Sequence, residues 1–267
     1  MIAVVCVYNN KNVYAGHLLK SLQAQSAAFE LIALDNTIGR FSSAAEALNY
    51  GACQTKSGSK YIMFAHQDID LGSPAWLEET ENMLDALPQL GIAGVAGSRG
   101  GRLLTNITHS VPPKHVGHAI REAEIAMTVD ECCAIVPRQV FETHAFDASV
   151  CDGWHAYVVE YCLRIHASGL SVYVLPAALH HGSAGTLNRA YFEALKKVLC
   201  THRNAYPRIH TTCGCWDARI PIAVQMGWFY LKTAFYALTA MLIARGLVPE
   251  WMQRKRRKRL NKRREQI

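Results

Sequence analysis

Tyr61-Ile62-Met63-Phe64-Ala65-His66-Gln67-Asp68-Ile69-Asp70 changes character at one point. Its first five residues are apolar with no polar alternation, the pattern of a strand covered on both faces. The run then breaks into His66-Gln67-Asp68, and ligands of open α/β sheets sit beyond the carboxyl ends of such strands. The same arrangement precedes it twice: Ile2-Ala3-Val4-Val5-Cys6-Val7 opens onto Tyr8-Asn9-Asn10, and the apolar stretch 29–34 onto Asp35-Asn36. Leu18, Leu19 and Leu22 give residues 17–25 helical spacing, residues 42–53 look helical, and Ser73-Pro74 opens another helix over 74–87. With a fourth strand at 92–96, strands alternate with helices, which predicts βαβ units and a mostly parallel sheet flanked by helices. Asn9, Asp35 and Asp68 each follow a strand end and are expected to converge. Downstream, the Gly- and Pro-rich residues 97–116 read as a long loop, 125–137 as strand, 158–167 as helix and 170–175 as a strand leading to His180-His181-Gly182-Ser183.

Asp68 and Asp70 stand in Asp-x-Asp spacing, a weak signal alone but one suited to a divalent cation that steadies a diphosphate leaving group. Here a resemblance becomes specific. Phe64-Ala65-His66-Gln67-Asp68 followed by Pro74-Ala75-Trp76-Leu77 resembles the metal-binding segment of family 2 glycosyltransferases with the GT-A fold, a Rossmann-related α/β fold. The His-Gln-Asp form resembles the branch named after the streptomycin-biosynthesis StrF-like domain. Cys6-Val7-Tyr8-Asn9-Asn10, Leu34-Asp35-Asn36, the Ala-x-Asn-x-Gly helix with Asn49 and Gly51, Gly94-Val95-Ala96-Gly97, Phe146-Asp147 and His181-Gly182-Ser183-Ala184-Gly185 follow in family order.

The resemblance implies transfer of a sugar from a nucleoside-diphosphate donor, with inversion, aided by Mn²⁺ or Mg²⁺. Asp68 would be the main metal carboxylate and His181 would complete the site. His66 would bind metal or shape the loop, and Asp70 makes the literal Asp-x-Asp. Tyr8, Asn9, Asp35, Asn49 and Gln67 would contact the donor. An inverting transferase also needs a base at the acceptor hydroxyl, and the family supplies it from an acidic motif opening a helix. The matching stretch here is Trp154-His155-Ala156-Tyr157-Val158-Val159-Glu160, where Val158 occupies the expected position and cannot accept a proton. Asp152, His155 and Glu160 are the candidate replacements. The alternative is a catalytically impaired nucleotide-sugar-binding or scaffold subunit.

Composition narrows the remaining classes. Half of the 267 residues are hydrophobic, enough for a core. The formal charge is +7, but residues 254–264 hold nine of the 28 basic residues, so the body is close to neutral and nucleic acid is not an expected partner. The nine cysteines, an odd number, and a first strand without a basic leader predict reduced thiols and a cytoplasmic chain. Cys200, His202, His210, Cys213 and Cys215 lack the spacing of a zinc site.

The expected organisation is a GT-A-like domain over 1–200, a helical hydrophobic extension over 201–253 and a basic tail over 254–267. Residues 220–244 are long enough to span a bilayer, but Lys232 sits at their middle, where a charge costs about 2.5 kcal/mol or more. An interfacial helix or helical hairpin is expected instead, or a helix in the core or at a dimer interface. With the basic tail on anionic lipid, this places the protein peripherally at the inner face of the cell membrane, acting on a glycan or lipid-linked acceptor.

Overall fold

The computed structural model describes residues 1–109, 112–183 and 187–245. Residues 1–219 form one compact unit and residues 220–267 a second. The strands are β1 (Ile2–Tyr8), β2 (Phe29–Asp35), β3 (Tyr61–Ala65), β4 (Ile69–Leu71), β5 (Leu90–Gly94), β6 (Ala96–Arg99), β7 (Arg102–Thr105), β8 (Ile107–His109), β9 (Lys114–His115), β10 (Glu124–Ile125), β11 (Thr128–Val129), β12 (Cys133–Pro137), β13 (Ser171–Val174), β14 (Leu179–His181), β15 (Arg208–Thr211) and β16 (Gly214–Asp217). The helices are α1 (Lys11–Tyr14) and α2 (Lys20–Gln23), joined by a π-helical turn, then α3 (Ala44–Ala52), α4 (Trp76–Asp85), α5 (Arg138–Thr143), α6 (Tyr157–Ala167), α7 (Arg189–His202) and α8 (Ile222–Ala244).

The main sheet has seven strands in the order β10-β13-β5-β12-β3-β1-β2. β1 runs parallel to β2 and β3, and β5 parallel to β13, so the expected α/β fold is present. β12 runs against both neighbours, β3 and β5. Its first residue, Cys133, lies opposite Ala65, the last residue of β3. The reversed strand therefore brings residues 130–132 to the edge where His66-Gln67-Asp68 emerges, and the His66 N–H donates to the Cys132 carbonyl at 2.9 Å.

Both faces of the sheet are covered. Val4, Cys6, Met63 and Ala65 pack with Leu18, Leu22, Trp76, Leu77 and Leu84 from the helices on one side. On the other, α3 approaches so closely that a Cβ on Gly51 would lie 2.5 Å from Val5 Cγ1, so this helix position needs glycine. Phe64 meets Phe141 and Phe146 at 4.9 Å between ring centroids.

Residues 97–116, expected as a loop, contain β-structure. Gly100 and Gly101, at φ 58° and 82°, make the tight turn of the β6–β7 hairpin. The glycines mark a hairpin tip, whereas the composition suggested an unstructured segment. Residues 201–219 are likewise no helical extension. β15 and β16 form a hairpin, and the Thr128 hydroxyl donates to the His210 carbonyl at 2.7 Å. Trp216 is buried against Tyr191 and Phe192, so the compact unit runs to Arg219, beyond residue 200. In the second unit α8 is one continuous helix through Gly227, not a hairpin. Trp228, Leu231, Phe235 and Tyr236 are exposed on it, Trp228 at 72%. Among the described residues no helix is long and apolar enough to cross a membrane. The basic run 254–264 lies outside the described residues.

Glu160 proves to be a structural clamp. Its side chain is 1% exposed; Arg164 Nε donates to both carboxylate oxygens at 3.0 and 2.9 Å, and His202 Nε2 on α7 lies 3.0 Å from Oε1. Both oxygens are engaged, so it is no candidate base; it ties α6 to α7. Removing one member of a buried pair strands the other charge. Glu160→Gln is accordingly expected to cost about 3 kcal/mol in urea unfolding and to leave ligand binding intact. Unchanged stability with lost turnover would return Glu160 to the catalytic set.

Candidate active site

The chain turns out of β3 at His66 and returns as β4, which pairs antiparallel with β14 so that His181 faces Ile69 and His180 faces Asp70. Ile69 and Leu71 are buried, which puts His181 on their face and Asp70 on the opposite one. Asp70 is held there by His17, Oδ2 to Nδ1 2.8 Å, and does not join the metal group. His66, Asp68 and His181 do come together, each offering an atom within 4.8 Å of the others. Among the described residues they are the one group of three with this property. The Gly182 N–H donates to the Asp68 carbonyl at 2.8 Å and the Ser183 N–H to Asp68 Oδ2 at 3.1 Å. A Cβ at 182 would stand 3.2 Å from the Asp68 carbonyl oxygen, so glycine permits the close approach.

The electrostatics suit a cation. Burial pushes the Asp68 carboxyl up, but His181, Ser183 and His66 together hold it well below the ordinary carboxylate range. Burial, then His181, pushes the His66 imidazole down, so it keeps a free lone pair at neutral pH. His181 Nε2 lies 3.3 Å from Asp68 Oδ1, an electrostatic contact, and is a buried nitrogen with no hydrogen-bond partner of good geometry. An orphaned ring nitrogen beside an ionised carboxylate and a neutral imidazole is the donor set a divalent metal takes.

A cavity of about 440 Å³ opens beside this group, within the range of small-molecule sites. It lies past the ends of β1 and β3, lined by Asn9, Asn36, Phe64, His66, Gln67 and Asp68 among others. Gln67 Oε1 accepts from the Asn9 and Asn10 N–H groups at 3.1 and 3.0 Å, and its Nε2 donates to Asn9 Oδ1 at 2.7 Å. These two expected donor contacts thus lock the β1 and β3 ends together at the cavity. Asp35 stands to one side, bound to Thr37 and 3.4 Å from Lys11 Nζ; the Thr37 hydroxyl, then its N–H, hold its pKa down at about 2. Tyr8 stacks on Tyr14 at 4.6 Å rather than lining the cavity. Asn49 is also elsewhere: its side chain clasps the Phe146 backbone, donating to the carbonyl at 2.8 Å and accepting from the N–H at 3.0 Å. Asp152 pairs with Lys197 in solvent, and His155 packs edge-on against Tyr191.

Sequence reading missed Asn36, Trp154, Tyr157 and Ser183, all on the cavity wall. It also missed Asp130 and Glu131, which the reversed β12 carries to the same edge. Burial, and then the adjacent Asp130 carboxylate, pushes the Glu131 carboxyl up to about 8. No local pattern marked Asp130 and Glu131, since strand direction is a tertiary property.

Two solved structures share this architecture. S. aureus TarS in complex with UDP-GlcNAc superposes with a TM-score of 0.54 at 12% identity, over 77% of this chain and 67% of that one. GalNAc-T7 with UDP, GalNAc and Mn²⁺ gives a TM-score of 0.53 at 12% identity, over 74% of this chain and 47% of that one. No curated protein matches the sequence. Residues 3–211 match the family described as "Glycosyltransferase like family", a span covering the seven-stranded sheet from the second residue of β1 and the His66, Asp68 and His181 cluster beside it. The chain therefore belongs to this glycosyltransferase-like family.

Proposed function

We propose that the protein transfers a sugar from a nucleoside-diphosphate donor to an acceptor hydroxyl, with a divalent metal held by His66, Asp68 and His181. The observation that carries this reading is the convergence of those three side chains beside a cavity that His66 and Asp68 line. A cation bound there supplies charge neutralisation for the departing diphosphate oxygens. Two imidazoles beside one carboxylate favour Mn²⁺ over the strictly oxygen-seeking Mg²⁺. The chain's own groups then orient the donor: the Gln67–Asn9 bridge fixes the cavity floor, and Asn36 and Trp154 border it. Within family 2 transferases, the His66-Gln67-Asp68 form supports the StrF-like branch. The relatives in complex with UDP-GlcNAc, or with UDP and Mn²⁺, support the same donor class.

A second reading, a donor-binding subunit without turnover, is favoured by Val158, which is buried, and by Glu160, which is clamped. For the acceptor, we favour a glycan or lipid-linked molecule at the inner face of the membrane. The exposed Trp228, Leu231, Phe235 and Tyr236 and the basic segment 254–264 support this.

Calorimetry with UDP-, GDP-, ADP- and dTDP-sugars, with and without Mn²⁺, tests the donor site. Asp68→Asn and His181→Ala are each expected to weaken Mn²⁺-dependent donor binding by about 10-fold or more while the thermal midpoint holds. Wild-type affinity in either variant would remove the metal assignment. The full chain is further expected to sediment with phosphatidylserine vesicles and to be released by salt. Equal recovery with phosphatidylcholine vesicles, or none with either, would contradict the membrane proposal.

A further inference from the structure

The base that Val158 does not provide has a candidate on a different element. α6 begins at Tyr157, and Ala156 before it adopts a left-handed conformation, φ 64° and ψ 7°, unusual for a residue with a side chain. That conformation is strained, and strain of this kind concentrates where geometry serves function. The backbone N–H groups of Ala156 and Tyr157 act on the Glu131 carboxyl, lowering its pKa against its burial. Glu131 thus sits at the helix start, beside the positive end of its dipole. It arrives there because β12 runs against β3, which places residues 130–132 beside His66-Gln67-Asp68. Tyr157 and Trp154, at the same helix start, line the cavity. Glu131 is half-buried, yet its Oε1 is a buried oxygen with no hydrogen-bond partner. Asp130 beside it is engaged by the Thr212 hydroxyl at 2.7 Å and by the Cys132 N–H at 3.0 Å, which leaves Glu131 as the available carboxylate.

The geometry points to Glu131 as the general base that takes the acceptor proton, a role moved from the α6 helix itself to the segment that faces its first turn. This assignment rests on the sugar-transfer reading above. The acceptor oxygen bonds to the anomeric carbon as the bond from that carbon to the diphosphate oxygen breaks. The electron pair leaves with the nucleoside diphosphate, and the hydroxyl proton passes to Glu131, which later releases it to water.

The surroundings set the pH response. The titratable groups facing Glu131 are Asp130, Cys151 before α6, Tyr157 at its start, Tyr191 on α7 and Cys213 in the β15–β16 turn. Burial raises Cys213 to about 11 and lifts the Cys151 thiol and both tyrosines well above their ordinary values, while Asp130 lies below its own. Near pH 8 Glu131 is therefore the member of this set that changes charge.

The test follows nucleoside-diphosphate release from UDP-, GDP-, ADP- and dTDP-sugars in MnCl₂, with water as acceptor, between about pH 6 and 10. For wild-type protein the rate is expected to rise through about pH 8 and level off. Glu131→Gln is expected to lose about 100-fold or more and the rising limb with it, at unchanged donor affinity by calorimetry. Glu131→Asp should recover part of the rate and restore the limb. Wild-type rate and pH profile in Glu131→Gln would overturn the assignment, as would loss of rate with the rising limb intact. Wild-type protein that neither binds nor cleaves any donor in the set would instead sink the transfer reading on which it rests.

Discussion

The site depends on the register between β4 and β14. Asp68 is the last residue before β4, and its carbonyl and carboxylate accept from the Gly182 and Ser183 N–H groups that follow β14. Those contacts fix the main chain on both sides of the Asp68–His181 pair. A slip by one residue would turn His181 away and present His180. Gly182 makes the approach sterically possible, and the buried Ile69 and Leu71 hold the strand in place from beneath. The convergence of His66, Asp68 and His181 is thus a consequence of strand pairing between chain segments more than a hundred residues apart.

A second constraint is the direction of β12. In a purely parallel sheet, the residues preceding that strand would lie at the far edge, away from Asp68. The reversal brings Asp130 and Glu131 to the strand ends used by β1 and β3. The β15–β16 hairpin then lies against Asp130 through Thr212. Two carboxylates in sequence can share this place because their environments differ: hydrogen bonds keep one ionised, while burial and its neighbour raise the other. Pairs of titratable groups driven apart in this way are how one site acquires both a fixed charge and a proton acceptor.

Much of this was legible in the chain itself. The apolar runs at 2–7, 29–34 (interrupted only by Glu30) and 61–65 gave parallel strands, and the polar residues after them gave Asn9, Gln67 and Asp68 at the cavity. His181 followed from the resemblance of His181-Gly182-Ser183-Ala184-Gly185 to a late family signature. What failed did so for physical reasons. Asp70 has suitable spacing but lies on the opposite face of a two-faced strand. Asn49 belongs to a family motif that serves folding here, by clasping the Phe146 backbone. Glu160 is the expected residue type on the expected helix, but burial with Arg164 and His202 is not visible in a helical period. Glu131 was hidden because nothing local encodes the direction in which a strand is threaded.

The central claim is that two imidazoles and one carboxylate, from chain positions more than a hundred residues apart, bind one ion. Pulsed electron paramagnetic resonance of Mn²⁺ titrated into the intact protein tests it directly, because directly bound nitrogen gives resolved couplings to the metal. The account predicts couplings from two histidine nitrogens, reduced to one in both His66→Gln and His181→Gln. A bound-Mn²⁺ spectrum with no nitrogen coupling, or one unchanged by both substitutions, would contradict it.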